Sequence, residues 1–453
     1  MKENNLSEGP ILRHLKNLAI PASIGLFFNT MFNVVDTFYA GRLSSDALAG
    51  LSLSFPIFFI VIALSSGIGS GTTALASIAL GEKNQKQFHA YILNALLLAF
   101  LLGLVVMSFA PWLTRILFEF TGASGEPLAL GIAYTNMILY GNLLFIFNFV
   151  LNGFLNAQGD TKSYRNFLVV GFVLNILLDP LLMFGFWHVP ALGVAGIALA
   201  TIAIQLLGVF YLAYRVYQSN AFDFKRFKQV KLKITLMLSI LRQGIPASLS
   251  MATIAIGVYI INYFVMLYGG AEAVAGYGAA IRIEQLVLLP ALGLNVATLA
   301  LVGQNYGASK FERIKAIRKL ATIIGLVIMA VGIVVIFPLA SILMGIFSDN
   351  EAVVGYGTQY LRIEVLAFFT YVFININLAV LQGMKKPSYA IYVGIFRQFV
   401  PIGLFYFLGT ILAMGIYGVW VGIVLINWLA VLLTLPYTAV MIRKKEAAYQ
   451  AKA

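Results

Sequence analysis

Four carboxylates, Asp36, Asp179, Glu284 and Glu364, stand inside stretches that are otherwise apolar. An ionised acid at the centre of a bilayer costs ~2.5–3.5 kcal/mol on insertion scales, so such residues face a cavity or a partner. Asp36 has company on its own helical face, because Asn29 and Asn33 precede it at i, i+4 and i+7 spacing. Gly171, Asn175 and Asp179 repeat the pattern at i, i+4 and i+8. Asn148 with Asn152, and Thr201 with Gln205, are each i, i+4 pairs. Four helices of one half thus each present a polar stripe, which is what an internal pocket requires. The plainer alternative is that the amides only tie helices together.

The chemistry of such a pocket is ion exchange. A carboxyl has a pKa near ~3.9 in water. Burial raises it, and a second carboxylate raises one of the pair further. A site of this kind holds a proton when closed and releases it when hydrated, which lets a proton gradient drive a conformational cycle. Asp36, Asn175, Asp179 and Thr201 are the candidate coupling residues. Carboxylate and amide oxygens also suit Na⁺, because hard cations take oxygen ligands. H⁺ is the first expectation and Na⁺ stays open. Asn29, Asn33, Tyr39, Phe55, Tyr134, Asn148, Asn152 and Gln205 are the candidate substrate contacts, since acids with aromatic walls suit amphipathic cations. Pro21 and Pro180, on the two acid-bearing helices, each remove a hydrogen bond and permit a bend or a static kink.

The second half carries Arg-Ile-Glu twice, as Arg282 to Glu284 and Arg362 to Glu364, with Arg397 beyond. Residues two apart on a helix do not face each other. Pairing between helices is expected, giving a buried structural network, with a gate or a secondary acidic site as the alternative.

Twelve helices must position these residues. Of 453 residues 61% are hydrophobic and 10% charged, against about a quarter charged in soluble domains. The apolar runs reach the roughly 20 residues needed to cross a bilayer. They fall near 17–40, 47–80, 88–110, 130–155, 163–187 and 190–214, then 237–268, 272–303, 317–344, 354–382, 388–411 and 416–442. With the N-terminus inside, 25 of the 30 Lys and Arg lie on the cytoplasmic side. Arg42 and Arg115 alone lie opposite, so both termini are expected in the cytoplasm. The net charge of +13 is therefore topological, with no nucleic-acid partner implied. No cleavable signal peptide is evident.

With no cysteine, thiol chemistry and Cys-zinc sites are excluded. His14, His89 and His188 lie at span ends or in loops, without a metal-binding pattern. No phosphate-binding glycine loop is present. The expectation is a protein that is not an enzyme and uses neither cofactor nor metal centre, beyond H⁺ or Na⁺ as coupling ion.

The chain repeats itself. "LAIPAS" (18–23) returns as "QGIPAS" (243–248), and "DALAG" (46–50) as "EAVAG" (272–276). "NAQGDTKS" (156–163) is answered by "VLQGMKKPS" (380–388), and "ALGVAGIALA" (191–200) by "AMGIYGVWVG" (413–422). Each half holds six spans, so both enter the membrane in the same orientation, as in transporters built from parallel repeats. The expected division is an N-terminal lobe over 1–214 carrying the coupling and substrate pocket, a basic linker over 215–236, and a C-terminal lobe over 237–453.

The repeated "IPAS" helix, Asp36 in the first span, "NILLDP" in the fifth and the paired loop glycines Gly81 and Gly307 resemble the multidrug and toxic compound extrusion (MATE) family. The likeness covers essentially the whole chain. Acids confined to the coupling positions of the first half look like its DinF-type branch, because neither Asp36 nor Asp179 is reproduced in the second repeat. The resemblance implies an all-α polytopic membrane protein, with two parallel-repeat six-helix bundles around a central cleft. It implies a monomeric, cation-coupled antiporter in a bacterial cytoplasmic membrane, exporting amphipathic, often cationic drugs or toxic metabolites by alternating access. The alternative is a lipid-linked oligosaccharide or lipid flippase of the same superfamily. A flippase would be expected to line its cavity with cations, and the first-half spans hold no Lys or Arg except Arg165, at the cytoplasmic end of its span.

Overall fold

In hydrocarbon every backbone polar group must be satisfied within the protein, which leaves helices as the economical way to cross. The computed structural model describes residues 5–119, 125–188, 190–219 and 222–451, and all regular elements among them are helical. They run α1 Ile11–Leu43, α2 Ser45–Gly81, α3 Gln85–Glu119, α4 Gly125–Tyr140, α5 Asn142–Ala157, α6 Lys162–Phe184 and α7 Val194–Tyr217. After the short α8 Phe224–Lys228 come α9 Ile234–Gly307, α10 Phe311–Gly345 and α11 Glu351–Glu364. Then follow α12 Phe368–Gly383, α13 Tyr389–Tyr406 and α14 Ile416–Gln450. The chain is a multi-pass membrane protein. Among the described residues ten helical stretches are long and apolar enough to cross, eleven with the bent pair α4 and α5. Helix α9, 74 residues long, is broken at Gly270 (φ 74°, ψ −169°) and supplies two, which makes the expected twelve. The termini themselves, 1–4 and 452–453, lie outside the described residues.

The fourth span is not the single helix expected over 130–155. It bends by 46° between α4 and α5. Ile202 of α7 occupies the place that a side chain at Gly141 would need. Asn142 then takes up a freed carbonyl, its Nδ2 donating to Leu139 O at 2.6 Å and to Gly103 O at 3.3 Å. The tenth span is interrupted at the corresponding place by a 3₁₀ turn, Val365–Ala367.

Two compact units result. One is built on Ile24–Ser248 and the other on Ser7–Ser23 together with Leu249 onward. The division thus differs from a cut at the linker in one respect. Residues 7–23 of α1 belong with the second unit, and residues 237–248 of α9 belong with the first. Both transfers fall at the repeated "IPAS". Each transferred piece is seated on a glycine of its new unit. A Cβ at Gly67 would lie 2.6 Å from Ser248 N, and a Cβ at Gly293 would lie 2.6 Å from Ala19 O. Such contact between backbones is how membrane helices gain dispersion energy without a hydrophobic driving force.

The internal repeat extends to the backbone. Gly193 and Gly415 cap α7 and α14 with the same φ of 56°, a left-handed value that glycine adopts without strain. In the first unit a Cβ at Gly50 would lie 2.8 Å from Gly131 N; in the second a Cβ at Gly276 would lie 3.0 Å from Gly357 N. The main apolar core of the first unit draws on α2, α3, α5, α6, α7 and the start of α9, with Phe88, Phe154, Ile146 and Ile240 fully buried.

Candidate cation-coupling site

Helices α1, α4, α6 and α7 of the first unit bring Asp36, Tyr134, Asn175, Asp179 and Thr201 together. The i, i+4 spacing on α6 aims Asn175 and Asp179 at the same point. Asn175 Nδ2 donates to Asp179 Oδ1 at 2.9 Å and to Asp36 Oδ1 at 3.1 Å. One amide nitrogen therefore serves two carboxylates with its two protons. From α4 the Tyr134 hydroxyl points at Asp36 Oδ2, 3.5 Å away. Asn175 and Asp179 are completely buried, and Asp36, Tyr134 and Thr201 nearly so.

Three oxygens in this cluster, Asn175 Oδ1, Asp179 Oδ2 and Thr201 Oγ1, are buried without a hydrogen-bond partner. Asp179 and Thr201 abut Asp36. Buried oxygens left unpaired cost on the order of 1–3 kcal/mol each, which makes them receptive to a proton or a hard cation. The donors to the two acids are an amide and a phenol, so no guanidinium or ammonium fixes their charge there. Among the described residues no group of three His, Asp or Glu forms a resident metal centre.

The expected substrate residues divide. Tyr134 belongs to the acid cluster itself. Tyr39 is half-buried and donates its hydroxyl to Ile176 O on α6 at 3.0 Å, holding the two acid-bearing helices together. Asn148 is buried and donates to Gln205 O at 2.8 Å and Gln205 Oε1 at 2.7 Å, a clamp between α5 and α7. Asn29, Asn33 and Asn152 are half-buried. Phe55 is 54% exposed on α2, its ring tilted by 31° against that of Phe59 at 6.3 Å, and is not brought to the acids. Pro21 lies inside a continuous α1 and Pro180 inside a continuous α6.

In the second unit Glu284 and Glu364 are both buried and close enough to interact. Their partners are tyrosines. Tyr360 donates to Glu284 Oε2 at 2.6 Å, and Tyr371 donates to Glu364 Oε1 at 2.8 Å. Tyr277, Tyr360 and Trp420 pack ring on ring beside them, with centroids 5.0–5.8 Å apart. Arg397 is the arginine that reaches this group, its guanidinium 5.5 Å from the Tyr371 ring centre. Arg282 and Arg362 are exposed and do not join it; Arg362 lies over Phe337 at 5.9 Å. The network expected from charges alone is mainly one of phenols. Tyrosines drawn from 22 in the chain carried no signal by which sequence could single them out.

The MatE family model matches residues 21–181 and again 246–407. The chain belongs to that family. The two matched stretches are the two repeats, and each begins at or beside the proline of an "IPAS". The probable multidrug resistance protein YoeA of Bacillus subtilis strain 168 is 27% identical over 446 residues, covering 97% of this chain and 96% of its own. An FAD transporter of Shewanella oneidensis is 26% identical over 404 residues, 88% of each chain. A multidrug resistance MATE family transporter of the MOP superfamily, solved in an outward-facing conformation, superposes with a TM-score of 0.91 at 27% identity, covering 99% of both chains. This MatE chain thus shares its fold along its whole length with transporters.

Proposed function

We propose that this MatE protein is a cation-coupled multidrug antiporter exporting amphipathic, often cationic compounds by alternating access. Asp36, Asn175, Asp179 and Thr201 are its coupling site, with H⁺ the coupling ion. The observation that carries this is the buried pair Asp36 and Asp179, bridged by one amide and surrounded by unpaired oxygens. Relatives named for multidrug resistance support the substrate class, and the FAD transporter marks how far substrates diverge at similar identity. In this reading the protein works as a monomer in a bacterial cytoplasmic membrane, with both termini inside.

Two carboxylates beside each other repel when both are charged. A proton taken up by the pair removes that repulsion and lets α1 and α6 pack differently. Pro21, where α1 lacks one backbone hydrogen bond, is where the helix bends at low cost. A shift from 1:99 to 99:1 between two states needs about 5.5 kcal/mol of differential stabilisation, a quantity two coupled acids share. Spin-label distances along α1 should change with pH in the wild type and stay fixed in Asp36→Asn.

Purified protein in liposomes, with pH and Na⁺ gradients imposed separately, tests the function. Drug efflux driven by an inward proton gradient is the expected result. Efflux driven by Na⁺ alone would reassign the coupling ion, and efflux with neither gradient would remove the coupling role altogether.

A further inference from the structure

The chain between α7 and α9 is held against the first unit at several points. Asp223 N donates to His89 Nε2 at 2.7 Å, while His89 Nδ1 lies 2.6 Å from Gln85 O. A carbonyl oxygen only accepts, so Nδ1 carries the proton and Nε2 offers the lone pair that receives Asp223. Ten residues further on, Lys233 N donates to Asn94 Oδ1 at 2.8 Å, and Asn94 Nδ2 donates to Ala90 O at 2.8 Å. His89 and Asn94 are fully buried under these contacts. Phe222 and Phe227 turn inward onto the apolar core. The inner face of the linker is therefore fixed.

Its outer face has an unusual pairing of chemistries. Phe224, Leu232 and Ile234 are 51%, 56% and 67% exposed. Lys225, Lys228, Lys231 and Lys233, interleaved with them, are exposed as well. Lys228 Nζ sits 4.7 Å above the Phe224 ring. Asp223 is the single acid between 215 and 233. Water suits the lysines but not the large apolar side chains, and hydrocarbon suits the reverse. An interface with anionic headgroups above and acyl chain below suits both. The segment is also tethered at that level, because a membrane-spanning helix leads into it and another leads out.

We propose that the face formed by Phe224, Lys225, Lys228, Lys231, Leu232 and Lys233 binds anionic phospholipid in the leaflet it meets. Lysines at such a surface attract anionic lipid by about five-fold each. The strap through His89 and Asn94 presents them as a fixed surface rather than a flexible tail.

The absence of cysteine makes the test direct. Gln229→Cys in the full chain, labelled with a fluorophore and placed in vesicles, is challenged with brominated phosphatidylglycerol or brominated phosphatidylcholine at equal mole fraction. Quenching several-fold stronger by phosphatidylglycerol is expected. The contrast should vanish toward unity at high salt and when Lys225, Lys228, Lys231 and Lys233 are all changed to Gln. Equal quenching by the two lipids, quenching by neither, or an undiminished contrast in the quadruple variant would overturn the proposal. So would displacement by inorganic phosphate but not by sulfate at matched ionic strength, which would mean a site for a soluble anion. The salt titration of the wild type needs no variant, so the test survives if the quadruple variant fails to fold. The readout involves no transport and is independent of the proposed export.

Discussion

Tyr134 and Tyr360 stand 226 residues apart at matching places in the two repeats, and each donates its hydroxyl to a buried carboxylate. The acids they serve are not equivalent. Tyr134 reaches Asp36 on α1 at 3.5 Å, whereas Tyr360 reaches Glu284, beyond the break in α9, at 2.6 Å. An O–H···O contact of 2.6 Å is a strong hydrogen bond, and one at 3.5 Å is weak. The phenol bond to Glu284 is the shorter of the two, and the nearer donor to Asp36 is Asn175 at 3.1 Å.

Asp36→Asn keeps the size of the side chain and removes its charge. Gradient-driven efflux should fall by an order of magnitude or more, while the melting temperature stays within a few degrees of wild type. Wild-type efflux and drug resistance in this variant would refute the assignment of Asp36.

Asn175→Leu takes away the one amide shared by both acids. Loss of a buried donor to charged groups costs on the order of 1–3 kcal/mol, so thermal stability should drop measurably. The pH dependence of efflux should move as well, which separates a role in the site from mere packing. A variant that melts early but keeps the wild-type pH profile would leave Asn175 as a structural tie.

Glu284→Gln and Glu364→Gln should act mainly on stability. Each acid accepts from a tyrosine in a completely packed setting, and Arg397 is left with less to balance it. Lower expression or melting temperature with unchanged ion dependence is the expected outcome in both. Normal melting together with lost ion dependence would move the coupling site into the second unit.

Much of the first-unit site was legible because acids inside apolar runs are rare and costly, so Asp36 and Asp179 drew attention by themselves. Helical spacing then added Asn175, and it did group with them. Thr201 followed from the same rule on α7. Tyr134 stood out in the sequence only as a candidate substrate contact, and its place 3.5 Å from Asp36 was not legible, because a tyrosine on an apolar helix shows no sign of what its hydroxyl will meet. Tertiary packing decides that. The exchange of residues 7–23 and 237–248 was also invisible: the chain passes through "IPAS" without a break in helical pattern, and only contacts reveal a change of neighbour. The bend at Gly141 could have been suspected from glycine beside asparagine, but the need for glycine there is set by Ile202, which comes from another helix.

Gly50→Ala and Gly276→Ala test the repeat at the level of packing. Each new methyl would meet backbone of the facing helix at 2.7–3.0 Å, and backbone cannot step aside cheaply. A loss of about 1–3 kcal/mol is expected for each, read as a lower melting temperature in detergent. A full-strength protein from either substitution would show that the helices separate there more readily than their contact implies.

The transfer of residues 7–23 and 237–248 between the compact units has a bearing on how the chain can be divided. A cut within 215–233 would not yield two self-sufficient products. The leading fragment would lack the helical piece that seats on Gly67, and the trailing fragment would lack the piece that seats on Gly293. Synthesised separately, each would expose a backbone-lined groove to lipid. Synthesised together, each would carry the part missing from the other, so complementation of the severed halves is built into the architecture.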